Sequence, residues 1–275
     1  MNLSVRKAAV AGMFYPAEPY KLKDTLDSLF ETVETKQLPI SKPVVVVAPH
    51  AGYTYSGLTA AFAYKAIAEY EYDTYVILSP SHREFFPFNS IFPGDAYSTP
   101  FGLSMIDAEA REILTKSSDL IKSDLRGHKT EHGVEVHLPF LQHSVTKEFR
   151  ILPVVMGEQS PENISALAEG LIKLSEQKSI LVIVSTDLSH FYAGEEANEL
   201  DGAVAEAVLS GNANTVANVF KTKTGEACGA GLLVAGMLYA NNKGFTRAVN
   251  LHQCNSGDTT SDYREVVGYL SSVVY

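Results

Sequence analysis

The sequence is poor in the features that mark secreted, membrane-spanning or nucleic-acid-binding proteins. Its 275 residues include only two cysteines, so a disulfide framework is excluded and reduced thiols are expected. No apolar run approaches the ~20 residues that span a bilayer, and the first residues lack the apolar core of a signal peptide. The formal net charge of -10 disfavours nucleic acid and anionic membranes as partners. These absences predict a cytoplasmic protein with neither kind of partner.

Several common catalytic and organisational motifs are missing as well. The chain contains no Gly-X-Gly-X-X-Gly fingerprint and no phosphate-binding loop, and GYTYSG at 52–57 lacks the Gly-X-Ser-X-Gly order of a nucleophile elbow. No Pro/Gly/Ser-rich linker, internal repeat or low-complexity tract divides the chain. We therefore predict one domain over residues 1–275.

What the chain does contain is an alternation of apolar strands and amphipathic helices. Runs such as VVVV at 44–47 and VIVS at 182–185 have no polar face, which is typical of strands buried in a parallel sheet. Helical spacing of apolar residues is seen over 19–36 and 160–178. This alternation predicts an α/β fold with three α/β/α layers around a mostly parallel, mixed central sheet.

Polar side chains follow four of the predicted strands. His50 and His82 each come after a strand that ends in proline, Asp187 and His190 follow a third strand, and Cys254 follows a fourth. Ligands of open α/β sheets bind in the crevice outside the carboxyl ends of the strands. Imidazole and thiolate donors converging there suit iron, copper or zinc. Each of these residues alone could have a purely structural role, such as a hydrogen-bonded histidine, a buried cysteine or a capping aspartate. Packing, however, does not require two strands to end in the same proline-histidine pattern.

Two further motifs leave alternatives open. The segment EHGVEVH holds Glu131, His132 and Glu135, without the His-Glu-X-X-His order of a zinc protease. At the start of a helix these residues either face a site or cap the helix, and the residues alone favour capping. Cys228 opens an apolar helix, where the helix N-terminus could lower the pKa of its thiol. A need for a small residue in close packing explains that position equally well.

Taken together in their order, the motifs resemble those of one family. AVAGMFYP, PHAGYTYSG, SPSH, TEHGVEVHLPFLQ, STDLSH and CNSGD span nearly the whole chain. The sequence is similar to the Memo family, also called AmmeMemoRadiSam system protein B. The resemblance implies a fold like that of the class III extradiol dioxygenases, which use non-haem iron.

The resemblance also implies roles for individual residues. It assigns His50, His82 and Cys254 as metal ligands, where the ring-cleaving dioxygenases use two histidines and a carboxylate. It implies iron(II) as the first candidate metal, with copper or zinc as alternatives. His190, His132 and Asp187 become candidate catalytic residues. The remaining expected pocket residues are Glu131, Glu135, Tyr53 and Cys228.

Three functions follow as hypotheses. The first is a metal-binding protein with a redox or dioxygenase-like role on an unknown small-molecule substrate, associated through the family with a radical-SAM protein and an AMMECR1-domain protein. The second is a non-catalytic adaptor that binds a peptide or partner protein in the same cleft. The third is a Cys-His hydrolase with Cys254 as its nucleophile. Metal content distinguishes the first hypothesis from the other two.

Overall fold

The fold, taken from a computed structural model that describes residues 3–33 and 41–275, is an α/β architecture built on a mixed sheet. The strands of the described residues are Val5–Arg6 (β1), Val45–Ala48 (β2), Thr74–Pro80 (β3), Asn89–Ile91 (β4), Ala96–Thr99 (β5), Gly102–Met105 (β6), Ile121–Ser123 (β7), Arg150–Met156 (β8), Ile180–Ser185 (β9), His190–Tyr192 (β10), Ala248–Asn255 (β11) and Val266–Val274 (β12).

Helices fill most of the chain between these strands. The α-helices of the described residues are Pro19–Thr32 (α1), Tyr53–Ile67 (α2), Ala108–Ser117 (α3), Leu138–Ser144 (α4), Pro161–Ser175 (α5), Gly194–Leu209 (α6), Ala213–Thr222 (α7), Ala230–Asn242 (α8) and Gly257–Thr260 (α9). A 3-10 helix, Glu135–His137, leads directly into α4. The helix predicted over 19–36 is confirmed as α1, and its predicted last residues, 34–36, lie outside the described part of the chain.

The main sheet has a parallel centre with an antiparallel pair on each side of it, β12 with β2 and β4 with β8. Its order is β10-β12-β2-β9-β3-β8-β4-β7, with β11 also paired to β12. Strands β2, β9, β3 and β8 run parallel, as their uninterrupted apolar sequences predict. β12 lies antiparallel between β2 and β11. In the described residues, β1, β5 and β6 form a separate small sheet.

The sheet has a hydrophobic core on each face, which confirms the prediction of an α/β fold flanked by helices. Along β2, Val46 and Ala48 belong to one core while Val45 and Val47 belong to the other, because alternate side chains of a strand point to opposite faces. Helices α1, α2 and α4 cover the first face, and helices α3, α5, α6, α7 and α8 cover the second. Among the helices of the described residues, none is long and apolar enough to cross a membrane.

Two buried histidines in this framework give a prediction about acid stability. Burial lowers the pKa of His128 and of His137 to about 3 each. A folded-state pKa below the ordinary value of ~6.5 means that the unfolded chain binds more protons between pH 6.5 and pH 3. The contribution of each neutral buried histidine to the free energy of unfolding is therefore fully present above pH 6.5. It is lost as the pH falls from 6.5 to 3. One such histidine lowers the free energy of unfolding by about 2 kcal/mol between pH 7 and pH 5.

His137→Phe separates the contribution of one of these rings. Neither ring nitrogen of His137 has a hydrogen-bond partner among the described residues, so the substitution removes no hydrogen bond. We expect the free energy of unfolding, measured by chemical denaturation, to fall between pH 7 and pH 5 in both proteins. The fall should be about 2 kcal/mol smaller in the variant than in the parent protein. Equal pH dependence of the two proteins would contradict this account.

Candidate metal site

Three histidines converge at the carboxyl edge of the parallel strands. His50 follows β2, His82 follows β3, and His132 precedes the 3-10 helix at Glu135–His137. One ring nitrogen from each lies within 4.8 Å of one from each of the others, close enough to share one metal ion. The ring centroids are 5.0 Å apart for His50 and His82, 5.2 Å for His50 and His132, and 4.6 Å for His82 and His132.

His50 is buried and held in one orientation by strand β9. Its Nδ1 lies 2.7 Å from Oγ of Ser185, and that hydroxyl donates to the carbonyl of Gly133 at 2.7 Å. Because the hydroxyl proton is already used, Ser185 accepts from Nδ1–H of His50, and Nε2 keeps its lone pair. Burial, together with the other histidines, holds the pKa of His50 well below its usual range. A neutral imidazole with a free Nε2 is the form that binds a metal.

Glu131 plays a similar orienting role for His82. Its Oε1 lies 2.8 Å from Nδ1 of His82, and its Oε2 accepts the backbone N–H of the same residue at 2.7 Å. Oε1 also accepts the backbone N–H groups of His132 and Gly133. Burial alone would raise the pKa of Glu131, but its contacts with His132 and His82 outweigh burial and hold that pKa well below its usual range. A charged Glu131 fixes the His82 ring with Nε2 free, as carboxylates do behind metal-ligating histidines.

The expected thiol ligand, Cys254, contacts Thr59 in the structure. Cys254 does not join the three histidines, because β12 lies between its strand and β2, and neighbouring strands are ~4.8 Å apart. Its Sγ lies 3.0 Å from Oγ1 of Thr59, which in turn lies 2.9 Å from Nδ1 of His252. Burial raises the pKa of the Cys254 thiol.

Cys228 is the cysteine that contacts the histidine group. Its Sγ lies 3.2 Å from Nε2 of His50, just outside the three-histidine cluster, and accepts the backbone N–H of Asp187 at 3.3 Å. Burial and the charge of Asp187 raise the pKa of this thiol to about 12. The residue after it must be glycine, since a Cβ on Gly229 would lie 2.9 Å from the carbonyl oxygen of Ser185. That Cys-Gly pair is the sequence signal for a close approach of α8 to the site.

Asp187 contacts His50, and His190 follows it on β10. Oδ1 of Asp187 accepts the backbone N–H of His50 at 2.8 Å, and its Oδ2 lies 4.0 Å from Nε2 of the same ring. Burial raises the pKa of Asp187 to about 6. His190 is half-buried on β10, opposite Val267 of β12, and it is not a member of the three-histidine group.

Glu135 and Tyr53 make hydrogen bonds that connect the chain segments around the site. Glu135 is fully buried and accepts hydrogen bonds from Arg6, Ala9, Val10 and Tyr15. It thereby ties down the N-terminal segment. The hydroxyl of buried Tyr53 donates to the carbonyl of Val136 at 2.7 Å. These hydrogen bonds give both side chains a supporting role in the fold, and their expected place in the pocket stays a prediction.

Sequence reasoning missed two contributors to the site. Ser185 fixes the ring of His50, as described above. Phe14, which the N-terminal segment carries, packs on His132 with ring centroids 4.8 Å apart. A serine at the end of an apolar strand and an aromatic residue in a turn are common features, so neither carried a distinctive signal.

Comparison with known proteins agrees with the motif pattern. A family model described as Memo-like protein matches residues 6–273. A MEMO1 family protein of Thermoplasma acidophilum is 36% identical over 269 residues, covering 98% of both chains. A MEMO1 family protein of Thermoplasma volcanium is 34% identical, and the match covers 98% of each chain. A MEMO1 family protein of Aquifex aeolicus is 36% identical, and the match covers 98% of this chain and 99% of the relative. The chain therefore belongs to the Memo family.

Proposed function

We propose that the protein is a metal-binding protein in which His50, His82 and His132 hold one transition-metal ion, with iron(II) as the first candidate and copper or zinc as alternatives. The observation that carries this proposal is the convergence of three imidazole nitrogens within 4.8 Å of one another. The rings of His50 and His82 are oriented by buried hydrogen-bond partners that leave Nε2 free. Such partners are expected behind metal ligands.

Cys228, rather than Cys254, is the thiol available to this site. Its contact with Nε2 of His50 places a sulfur donor beside the atom that would bind the metal. A nitrogen and sulfur donor set suits iron, copper and zinc. Because the thiol is protonated in the metal-free protein, its recruitment would release a proton.

A redox or dioxygenase-like role on a small molecule is the activity that this site supports best. A bound iron or copper would supply redox chemistry and open positions for a small ligand. The chain itself supplies Asp187, whose pKa is raised by burial and whose Oδ2 lies 4.0 Å from Nε2 of His50, in a position to exchange a proton at the site. The family resemblance implies an extradiol dioxygenase-like fold, which is compatible with this role but does not by itself imply it. Association with a radical-SAM protein and an AMMECR1-domain protein, and a cytoplasmic location, are parts of this proposal that rest on the resemblance and on composition.

The adaptor hypothesis keeps one specific observation in its favour. Phe85 follows His82 and is 77% exposed, and Phe191 follows His190 and is 71% exposed. Phe191 also has a φ of 67°, a conformation that side chains other than glycine rarely adopt. Exposed aromatic residues beside a site favour contact with a partner. The hydrolase hypothesis is disfavoured, because the hydrogen-bond partner of the Cys254 thiol among the described residues is the Thr59 hydroxyl and not an imidazole.

Metal analysis of the protein purified without oxygen or chelator tests this proposal. We expect close to one metal ion per chain in the parent protein and less than a tenth of that in His50→Ala and His82→Ala. His143→Ala is the matched control, since His143 is half-buried beside Asp27 and lies outside the three-histidine group. If the parent protein takes up no iron, copper or zinc when each is offered, the metal-site proposal is wrong.

A further inference from the structure

The hydroxyl of Thr186 connects the end of strand β9 to the first turn of helix α8. Thr186 follows β9 directly and is fully buried. Its Oγ1 donates to the carbonyl of Asp187 at 2.8 Å and accepts the backbone N–H of Gly229 at 2.9 Å. Because the hydroxyl proton and a lone pair are both used, the hydroxyl has one orientation, and it holds the turn that contains Cys228.

Further hydrogen bonds join the same two chain segments. The backbone N–H of Cys228 donates to the carbonyl of Asp187 at 3.2 Å, and the backbone N–H of Asp187 donates to Sγ of Cys228. The Thr186 hydroxyl lies 3.7 Å from that Sγ. The backbone N–H of Thr186 donates to the carbonyl of Ala48 at 3.0 Å, at the end of β2 and two residues before His50. Thr186 therefore lies where the strand that leads to the histidine meets the helix that follows the thiol.

Packing around this turn is close on both sides. A Cβ added to Gly229 would lie 2.8 Å from Cβ of Thr186, well inside the ordinary separation of two carbon atoms. On the outer side, the Gln159 amide donates to the carbonyl of Cys228 at 2.7 Å and accepts the backbone N–H of Gly231 at 2.6 Å. Gln159 is exposed whereas Thr186 is buried, so water competes less for the hydrogen bonds of the Thr186 hydroxyl.

We propose that Thr186 is a positioning residue of the candidate metal site, whose hydroxyl holds the Cys228 turn so that Sγ contacts Nε2 of His50 at 3.2 Å. The inference rests on the proposed function, because it explains how the thiol comes to lie beside the histidines. The role requires the hydroxyl and not merely a side chain of this size. Serine should therefore substitute for threonine at this position, and valine, which has nearly the same shape, should not.

Labelling of the metal-free protein with iodoacetamide tests the position of the thiol without any metal. In the Cys254→Ser background, Cys228 is the one cysteine left in the chain. A buried, protonated thiol reacts when its turn opens, so the labelling rate reports how firmly the turn is held. We expect Thr186→Val to raise that rate about fivefold, and Thr186→Ser to leave it nearly unchanged.

Thr74→Val is the matched control for the loss of a buried hydroxyl. Thr74 is also fully buried, and its hydroxyl donates to Asp107 at the start of β3, away from the histidines. This variant should lower Tm without changing the labelling rate of Cys228. An unchanged rate in Thr186→Val, or an equal rise in Thr74→Val, would overturn the positioning role.

Titration with cobalt(II) gives a second readout, because a cobalt–thiolate bond has a charge-transfer absorption that cobalt–imidazole bonds lack. We expect Thr186→Val to raise the Kd for cobalt(II) about tenfold and to weaken that absorption, while Thr186→Ser and Thr74→Val behave like the parent protein. The same Kd and absorption in Thr186→Val as in the parent protein would overturn the inference. If labelling changes as expected but the parent protein binds no cobalt(II), the metal-site proposal is wrong and the positioning of the thiol by Thr186 is supported.

Discussion

Cys228→Ser is expected to lower the affinity of the protein for a transition metal by roughly 10–100-fold, whereas Cys254→Ser leaves it unchanged. The physical reason is position: Sγ of Cys228 lies 3.2 Å from Nε2 of His50, while Sγ of Cys254 contacts Thr59. The two substitutions are chemically identical, so each serves as the control for the other. Competition with a chromophoric chelator measures both affinities.

Proton release provides a second measurement of the same prediction. The buried Cys228 thiol, with its pKa raised to about 12, stays protonated in the metal-free protein at neutral pH. Binding of a metal to the thiolate must therefore displace one proton more in the parent protein than in Cys228→Ser. Equal affinity and equal proton release in the two proteins would show that the thiol is not a ligand. A loss of affinity in Cys254→Ser alone would restore the ligand set implied by the resemblance.

Glu135→Gln is expected to destabilise the fold by about 3–5 kcal/mol, because it leaves the Arg6 guanidinium buried without its counter-charge. Glu135 also accepts the backbone N–H groups of Ala9 and Val10, at 2.8 and 3.0 Å. A chain of this size should lose on the order of 6–10 °C in Tm. Thermal unfolding of the metal-free protein checks this value.

Two further variants separate the buried charge from a general effect of substitution. Glu18→Gln breaks an exposed pair with Lys21 and should leave the Tm of the protein nearly unchanged. Arg6→Met combined with Glu135→Gln removes the unpaired charge and should recover part of the loss. If Glu135→Gln is as stable as Glu18→Gln, the buried pair does not hold the N-terminal segment in place.

Glu135→Gln should also affect the histidine site. The N-terminal segment contains Phe14, whose ring packs on His132. The backbone carbonyl of Phe14 accepts the N–H of Tyr53 at 2.8 Å. Loosening that segment frees the His132 ring. We therefore expect Glu135→Gln to weaken metal binding even at a temperature where the variant is fully folded.

The parallel centre of the fold was predictable because its strands carry an unmistakable pattern. The apolar runs that become β2, β3 and β9 end where His50, His82 and Asp187 begin, and all three strands run in the same direction. Ligand side chains at the carboxyl ends of parallel strands meet at one edge of a sheet, so this part of the site follows from strand direction alone.

The third member of the site was less predictable because it depends on tertiary packing. His132 comes from a turn before a 3-10 helix, and the residues of its segment alone favoured a capping role. Cys254 lies near the end of β11, but no local pattern shows that β12 lies between β11 and β2. Cys228 reaches His50 only because α8 begins against the end of β9, where Gly229 permits close contact with Ser185.

X-ray absorption spectroscopy of the zinc-loaded protein is the most direct test of a metal site built on His50. We expect imidazole nitrogens at about 2.0–2.1 Å and one sulfur at about 2.3 Å from the zinc, with the sulfur lost in Cys228→Ser and the bound zinc itself lost in His50→Ala. A spectrum without imidazole scattering, or one that is the same in His50→Ala as in the parent protein, would place the metal elsewhere in the chain.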